Sequence, residues 1–426
     1  MHFFSDFDIQ YQAKVLENKS EIYFLRRKGF PVHIQACIKA GTRYNNVSGL
    51  SHFLEHLLLV GTKSYPSKFD MALALEKVGG YFDATTDADF IRITVSVPRE
   101  EHARLAISIL NEILTASLFL ENTFKNEQEV ILREQSDRYN DNSLLLSDTF
   151  MERVYPDFEL HFKNLGTADS VSKIELNDII KFFKTNITAE RTSFIVSGDF
   201  TVDIIEKDLS SIILPRDSGD FLPELISSQN KQKIIYKNIN TKNNDLFLGC
   251  RCDVNDFQEI IGLSMLQQMF MGRGNLLMQE LRYKRGLVYG GSVLFWNFTN
   301  TSIFGFRTTC AKDKTIEVFD VVLNILNEVY LNGISELECE KLKIKIDSHY
   351  RFNLQSSRQW LDIQSFVLRH SAQNKIDILD IFLQIQNMNH FLLTDIFRKY
   401  FNQNSMYGVV LGELSDDMLD CLDGLL

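Results

Sequence analysis

The sequence predicts an α+β fold of two similar modules, each a mixed sheet with helices packed on it. Three observations lead there. A chain of 426 residues is too long for one ordinary core. Strand-type alternation and helix-type spacing interleave along the first half instead of separating into blocks. A similar order of elements then recurs after a weakly patterned stretch, as a duplication would produce. The expected divisions are 1–215 for the first module, 211–232 for a polar linker and 233–426 for the second.

In the first module, Ile22-Tyr-Phe-Leu25 and Val32-His-Ile-Gln-Ala-Cys-Ile38 alternate in part and read as strands. Gly41-Thr-Arg43 and Asn45-Asn-Val-Ser-Gly49 form a turn-rich loop, and Ser51 is the expected N-cap of the helix that follows. The apolar spacing of Lys68–Val78 is helical, with Pro66-Ser67 before it and Gly79-Gly80 to stop it. Phe90-Ile-Arg-Ile-Thr-Val-Ser-Val97 alternates cleanly and predicts a half-buried strand. Helices follow near 100–117 and 122–148, and Ser193–Gly198 is a closing strand. The second module runs through a strand at 246–251, a helix at 257–271, a glycine loop at 272–274 and a helix to about 284. Strands at 288–295 and 302–308 come next, then helices over most of 314–400, and Tyr407–Gly412 echoes the closing strand of the first module.

Composition narrows the function. With 45 basic and 56 acidic residues the net charge is -11, and no basic run or basic-aromatic patch occurs, which excludes nucleic acid as a partner. The six cysteines (Cys37, Cys250, Cys252, Cys310, Cys339, Cys421) are scattered and read as reduced thiols. The first residues, Met-His-Phe-Phe-Ser-Asp-Phe-Asp, carry acids where an export leader carries bases, and no apolar run approaches membrane-spanning length. A cytoplasmic protein with no membrane partner is expected.

His52-Phe-Leu-Glu55-His56 carries the chemistry. On a helix, positions i, i+3 and i+4 share a face, so His52 and His56 can converge on one ion with Glu55 beside them. Neutral imidazoles suit zinc, and a catalytic site keeps one position open for water. The order is the inverse of the commoner H-E-x-x-H motif. A third ligand must come from another element. Glu121–Glu134 offers four carboxylates on a predicted helix, where Glu127 and Glu134 share a face and Glu129 is rotated away. That permits one ligand and one carboxylate supporting a ligand histidine, while an ordinary charged helix would look the same. The other histidines, His2, His33, His102, His161, His349, His370 and His390, show no metal spacing, and Gly272-Arg-Gly274 is too short for a phosphate fingerprint.

These segments together resemble the pitrilysin, insulinase and mitochondrial processing peptidase family. Gly41-Thr-Arg, Gly49-Leu-Ser and Gly61-Thr surround the histidine motif as in its zinc segment, and Val130-Ile-Leu-Arg-Glu134 resembles its distal ligand segment. Gly272-Arg-Gly274-Asn-Leu-Leu, then Leu281-Arg282 and Tyr289, are similar to its glycine loop and its arginine-tyrosine pair.

The resemblance implies one zinc ion (Zn2+) per chain, held by His52, His56 and Glu134, with Glu127 in support and Glu55 as general base. It implies Tyr289 and Arg282 as donors to the oxyanion and the substrate backbone. Peptide is expected to add as a strand along Tyr81–Thr86, with Asp83, Ala84 and Thr85 in contact. Asp83 departs from the family's usual asparagine; it either adds negative charge that favours basic peptides or caps a turn. The half length implies a subunit that pairs into a clam-like chamber, as a homodimer or with a related partner, the second module of one chain facing the zinc module of the other. The expected activity is endopeptidase action on short or unfolded peptides. Two alternatives stand: a dedicated processing peptidase that removes a leader, and a non-catalytic scaffold or partner subunit.

Overall fold

Val32, Ile34, Ala36 and Ile38 point to one side of their strand and join the main hydrophobic cluster, yet the intervening His33, Gln35 and Cys37 are buried as well. The first sheet is therefore covered on both faces. The computed structural model describes residues 8–156, 164–216, 233–254, 256–374, 376–402 and 405–426, so most of the expected linker lies outside the described residues.

The first sheet contains β1 (Gln10–Val15), β2 (Glu21–Arg26), β3 (Val32–Ile38), β4 (Tyr81–Thr86), β5 (Ile91–Val97) and β6 (Thr192–Gly198), in the order β1-β2-β6-β3-β5-β4. Only β2 and β6 pair in parallel. On its apolar face pack α1 (Leu50–Leu58), α2 (Lys68–Glu76), α3 (Ala103–Thr115), α4 (Glu121–Tyr139), α6 (Ala168–Lys173), α7 (Leu176–Asn186) and α8 (Val202–Ser210). The helix expected at 122–148 is two helices. The chain breaks after Tyr139, and Asp141 caps α5 (Asn142–Val154) by accepting from the amides of Ser143 and Leu144.

The second sheet has β7 (Ile234–Asn238), β8 (Asn243–Asp253), β9 (Val288–Phe298), β10 (Thr301–Ala311) and β11 (Met406–Gly412), ordered β7-β11-β8-β10-β9. Leaving β1 aside, this is the connectivity of the first sheet: first strand, last strand in parallel, then second, fourth and third. The duplication anticipated from element order is thus present in the topology. Helices α9 (Phe257–Phe270), α10 (Thr315–Asn332), α11 (Glu336–Asn353), α12 (Ser357–Asn374), α13 (Ile378–Asn387), α14 (His390–Tyr400) and α15 (Asp416–Leu425) complete the chain.

Two segments cross the linear division of the sequence. One compact unit gathers Met1–Asp137, Phe162–Glu224 and Asn353–Ala372; the other gathers Arg138–His161, Leu225–Phe352 and Gln373–Leu426. Helix α12, late in sequence, therefore belongs with the first sheet, and α5, early in sequence, with the second. Phe150 of α5 packs on Phe247 of β8 with ring centroids 4.1 Å apart. The half-buried strand expected at 90–97 is almost wholly buried for this reason, since α12 covers the face bearing Thr94 and Ser96. Among the described residues no helix is long and apolar enough to cross a membrane.

Candidate metal centre

The loop before α1 is built on a close backbone approach. The amides of Gly41, Thr42 and Arg43 donate to the carbonyls of Asp89, Asp87 and Ala88 at 3.1, 3.0 and 3.0 Å. A Cβ on Gly41 would sit 2.5 Å from those backbone atoms, so glycine is required there. Helix α1 begins two residues earlier than its sequence suggests. Gly49, with φ of 93°, is the N-cap, and Ser51 lies inside the first turn. The capping oxygen comes from Asn45, whose Oδ1 accepts from the Ser51 amide at 3.0 Å, while Ser51 Oγ donates to the Gly41 carbonyl.

The helix then sorts its faces. Leu50, Phe53, Leu54, Leu57 and Leu58 enter the core, and His52, Glu55 and His56 lie together on the adjoining stripe. Helix α4 answers with Phe124 and Ile131 in the same core, and Phe124 stacks on Phe53 with centroids 4.8 Å apart. Glu127 and Glu134, each three residues further on, are thereby brought over the histidines, and Glu129 is exposed.

His52, His56 and Glu134 each offer a ligand atom, all within 4.8 Å of one another. Glu134 Oε2 lies 3.3 Å from His52 Nε2 and 3.6 Å from His56 Nε2. His56 Nδ1 bonds Glu127 Oε2 at 2.9 Å, which leaves Nε2 as its free ligand atom. His52 Nδ1 is 3.5 Å from Glu55 Oε2, too far for a well-formed hydrogen bond, and is buried without another partner. Two imidazoles and one carboxylate, converging with a fourth direction unused, fit the donor set of a catalytic zinc site.

Charge is tuned by these contacts. Burial opposes ionisation of Glu55, but His52 beside it and the Thr86 hydroxyl, which donates to Oε2 at 2.5 Å, outweigh burial and hold the carboxyl below its usual range. Burial likewise opposes protonation of His56, and the Glu127 hydrogen bond and Glu134 charge overcome it, raising that imidazole. A ligand imidazole must be neutral, so metal uptake at this position would be linked to pH.

Asp83, Ala84 and Thr85 lie on β4, the edge of the first sheet, paired with Thr94, Ile93 and Arg92 of β5. Asp83 caps no turn; it stands within the strand, and Arg358 Nη2 contacts both of its carboxylate oxygens. Thr86, at the end of the same strand, is a site residue that the sequence did not single out.

In the second unit, the guanidinium of Arg282 stacks over the Tyr289 ring at 4.7 Å, and Tyr289 is 87% exposed at the start of edge strand β9. Arg282 sits in a π-helical turn, Gln279–Lys284, after the glycine loop. The five cysteines other than Cys421 are buried, and all six are free.

Two sheet-and-helix units, the first bearing an inverted histidine motif, define a metallopeptidase fold. The chain belongs to the insulinase family, peptidase family M16, whose model matches residues 30–167; the model of the M16 inactive domain matches residues 173–346. An uncharacterized zinc protease of Mycobacterium leprae is 25% identical over 321 residues, covering 74% of this chain and 72% of that protein. A Helicobacter pylori protein named as a non-peptidase homologue is 24% identical over 305 residues, covering 70% and 69%. Among solved structures, a protease from Helicobacter pylori superposes with a TM-score of 0.84 at 19% identity, covering 95% of this chain and all (100%) of that one. An M16 inactive-domain protein from Pseudomonas fluorescens gives 0.83 at 18% identity, covering 95% and 98%. The family thus holds zinc proteases together with members that are not peptidases.

Proposed function

We propose that this chain is a zinc metalloendopeptidase that hydrolyses short or unfolded peptides. The observation that carries this reading is the convergence of His52, His56 and Glu134 with Glu55 beside them and Glu127 behind His56. A non-peptidase relative is the reason to test it, and the complete residue set favours catalysis here.

When bound, zinc polarises the scissile carbonyl and acidifies water. Glu55 Oε2 receives the proton of the attacking water and passes it to the leaving amine, a task suited to a buried carboxylate kept ionised by its neighbours. Thr86 holds that carboxylate in one orientation. Peptide adds along edge strand β4, where backbone pairing tolerates varied sequences. Arg282 and Tyr289 act on the substrate of a second copy of the chain, Tyr289 donating its hydroxyl to the oxyanion.

The test is digestion of a mixed peptide library by zinc-loaded wild type beside Glu55→Gln. Cleavage by wild type alone supports the reading. Equal cleavage by both overturns the assigned base, and cleavage of a single precursor only would mark a dedicated processing enzyme. Equimolar zinc without any cleavage would place the chain with the non-peptidase members.

A further inference from the structure

The back face of the first sheet is polar along β3 and β5, and one helix covers that part. His33 and Gln35 of β3 face the same way as Thr94 and Ser96 of β5, with side-chain bonds His33–Ser96 at 2.8 Å and Gln35–Thr94 at 2.9 Å. Helix α12 presents Arg358, Asp362, Ser365 and Arg369 to that face, at spacings of four, three and four residues that form one stripe. Each member of the stripe has a partner on the sheet or on the turn that joins β4 to β5. Arg358 holds Asp83 at 2.9 Å, and Asp362 lies 3.6 Å from Arg92. Ser365 donates to Gln35 at 3.1 Å, and Arg369 reaches Asp87 and Asp89, each at 2.8 Å.

The spacing along the helix matches the strand. Residues 358 and 369 are about 16 Å apart at a helical rise of ~1.5 Å per residue. Five strand residues at ~3.3 Å each cover the same distance, which is the interval from Asp83 to the turn at 87–89. The two arginines therefore grip β4 in its middle and just beyond its end. Thr86, the residue that meets Glu55, lies between the two grips.

We propose that Arg358 and Arg369 are positioning residues, through which α12 braces the substrate edge strand and sets Thr86 against Glu55. The effect on turnover rests on the peptidase reading given above; the brace itself does not. Arg358 acts on the strand that receives peptide and so governs KM. Arg369 acts on the turn after Thr86 and so governs kcat as well.

The experiment uses the full zinc-loaded chain as wild type, R358Q, R369Q and the exchanged pair D83R/R358D. Amide hydrogen exchange is followed over 81–90, and KM and kcat are measured on one peptide found in the library digest. In R358Q, exchange in 81–86 should quicken about five- to tenfold while β2 and β6 keep their protection, and KM should rise severalfold with kcat within about twofold of wild type. In R369Q kcat should fall as well, and D83R/R358D should recover much of the R358Q loss. Unchanged exchange in 81–90, or quickening spread evenly over the whole first sheet, would overturn the brace. If wild type cleaves no peptide the peptidase reading fails, and the exchange data still decide whether the brace exists.

Discussion

Glu127 holds His56 through one hydrogen bond, Nδ1 to Oε2 at 2.9 Å, and so turns Nε2 of that ring toward Glu134. Glu127→Ala removes the hold without removing a ligand. Zinc affinity should fall by about 10- to 100-fold, the usual cost of losing such a support. Competition against a chelator of known strength checks this, and His56→Ala should lose the metal altogether in the same assay.

Thr86→Val keeps the shape of the side chain but removes the donor to Glu55. Zinc content should be unchanged, and kcat should fall on the order of tenfold, corresponding to one hydrogen bond to a charged group. A variant with full kcat would show that Glu55 is oriented by other means.

Acid should weaken the fold through His33. Burial, then the nearby Arg358 charge, lowers this imidazole from 6.5 to about 4. Between those values the unfolded chain binds a proton that the folded one refuses, so the stability contributed by the neutral ring is complete above pH 6.5 and is lost as pH falls toward 4. The full shift is worth about 3 kcal/mol. His370, lowered to about 3 by burial and Arg369, acts in the same direction. Urea melts at pH 7 and near pH 4.5 should differ by less in His33→Gln than in wild type.

Asp89 is 2% exposed and lies between two cations, Arg43 at 2.9 Å and Arg369 at 2.8 Å. Asp89→Ala removes the buried anion that the two arginines share, and Arg369 keeps only Asp87 of its two carboxylates. The loss should be about 3–5 kcal/mol, read as a lowered midpoint in thermal or urea unfolding.

Pairing of chains can be tested by mixing two disabled forms. If one copy supplies Tyr289 to the metal group of another, unfolding and refolding Glu55→Gln together with Tyr289→Phe should restore activity. Random pairing gives one sound site in half of the dimers, so recovery should approach about a quarter of wild type. No gain over the separate variants would mean that each site is completed without a second copy.

The residues whose spacing is local were legible in the sequence. His52, Glu55 and His56 share a helix stripe, and Glu127 and Glu134 share another, because three- and four-residue spacings fix a helix face wherever the helix goes. The alternation of β3 and β5 was equally readable, though not that both faces would be covered. That outcome depends on α12, more than 250 residues beyond β5 in the chain, and no local pattern announces such a partner. Ser51 was misplaced as a cap because Asn45, six residues away, supplies the oxygen. Thr86 and Arg358 gave no signal, since their roles arise from strand register and from a helix that arrives late.

Helices α5 and α12 are exchanged between the two halves of the sequence, and the exchange sets a timetable for synthesis. When the ribosome has finished β6 and α8, the first sheet still lacks the helix that covers the polar β3–β5 part of its back face. That helix ends at Asn374, about 160 residues after the last described residue of the first half. At roughly 5–20 residues per second the wait is on the order of ten to thirty seconds. During it a nascent chain carries β3 and β5 with one face open, bearing neutral histidine, amide and hydroxyl groups that water can solvate. An apolar face left open for as long would invite aggregation, and a face built to be wet until its helix arrives does not.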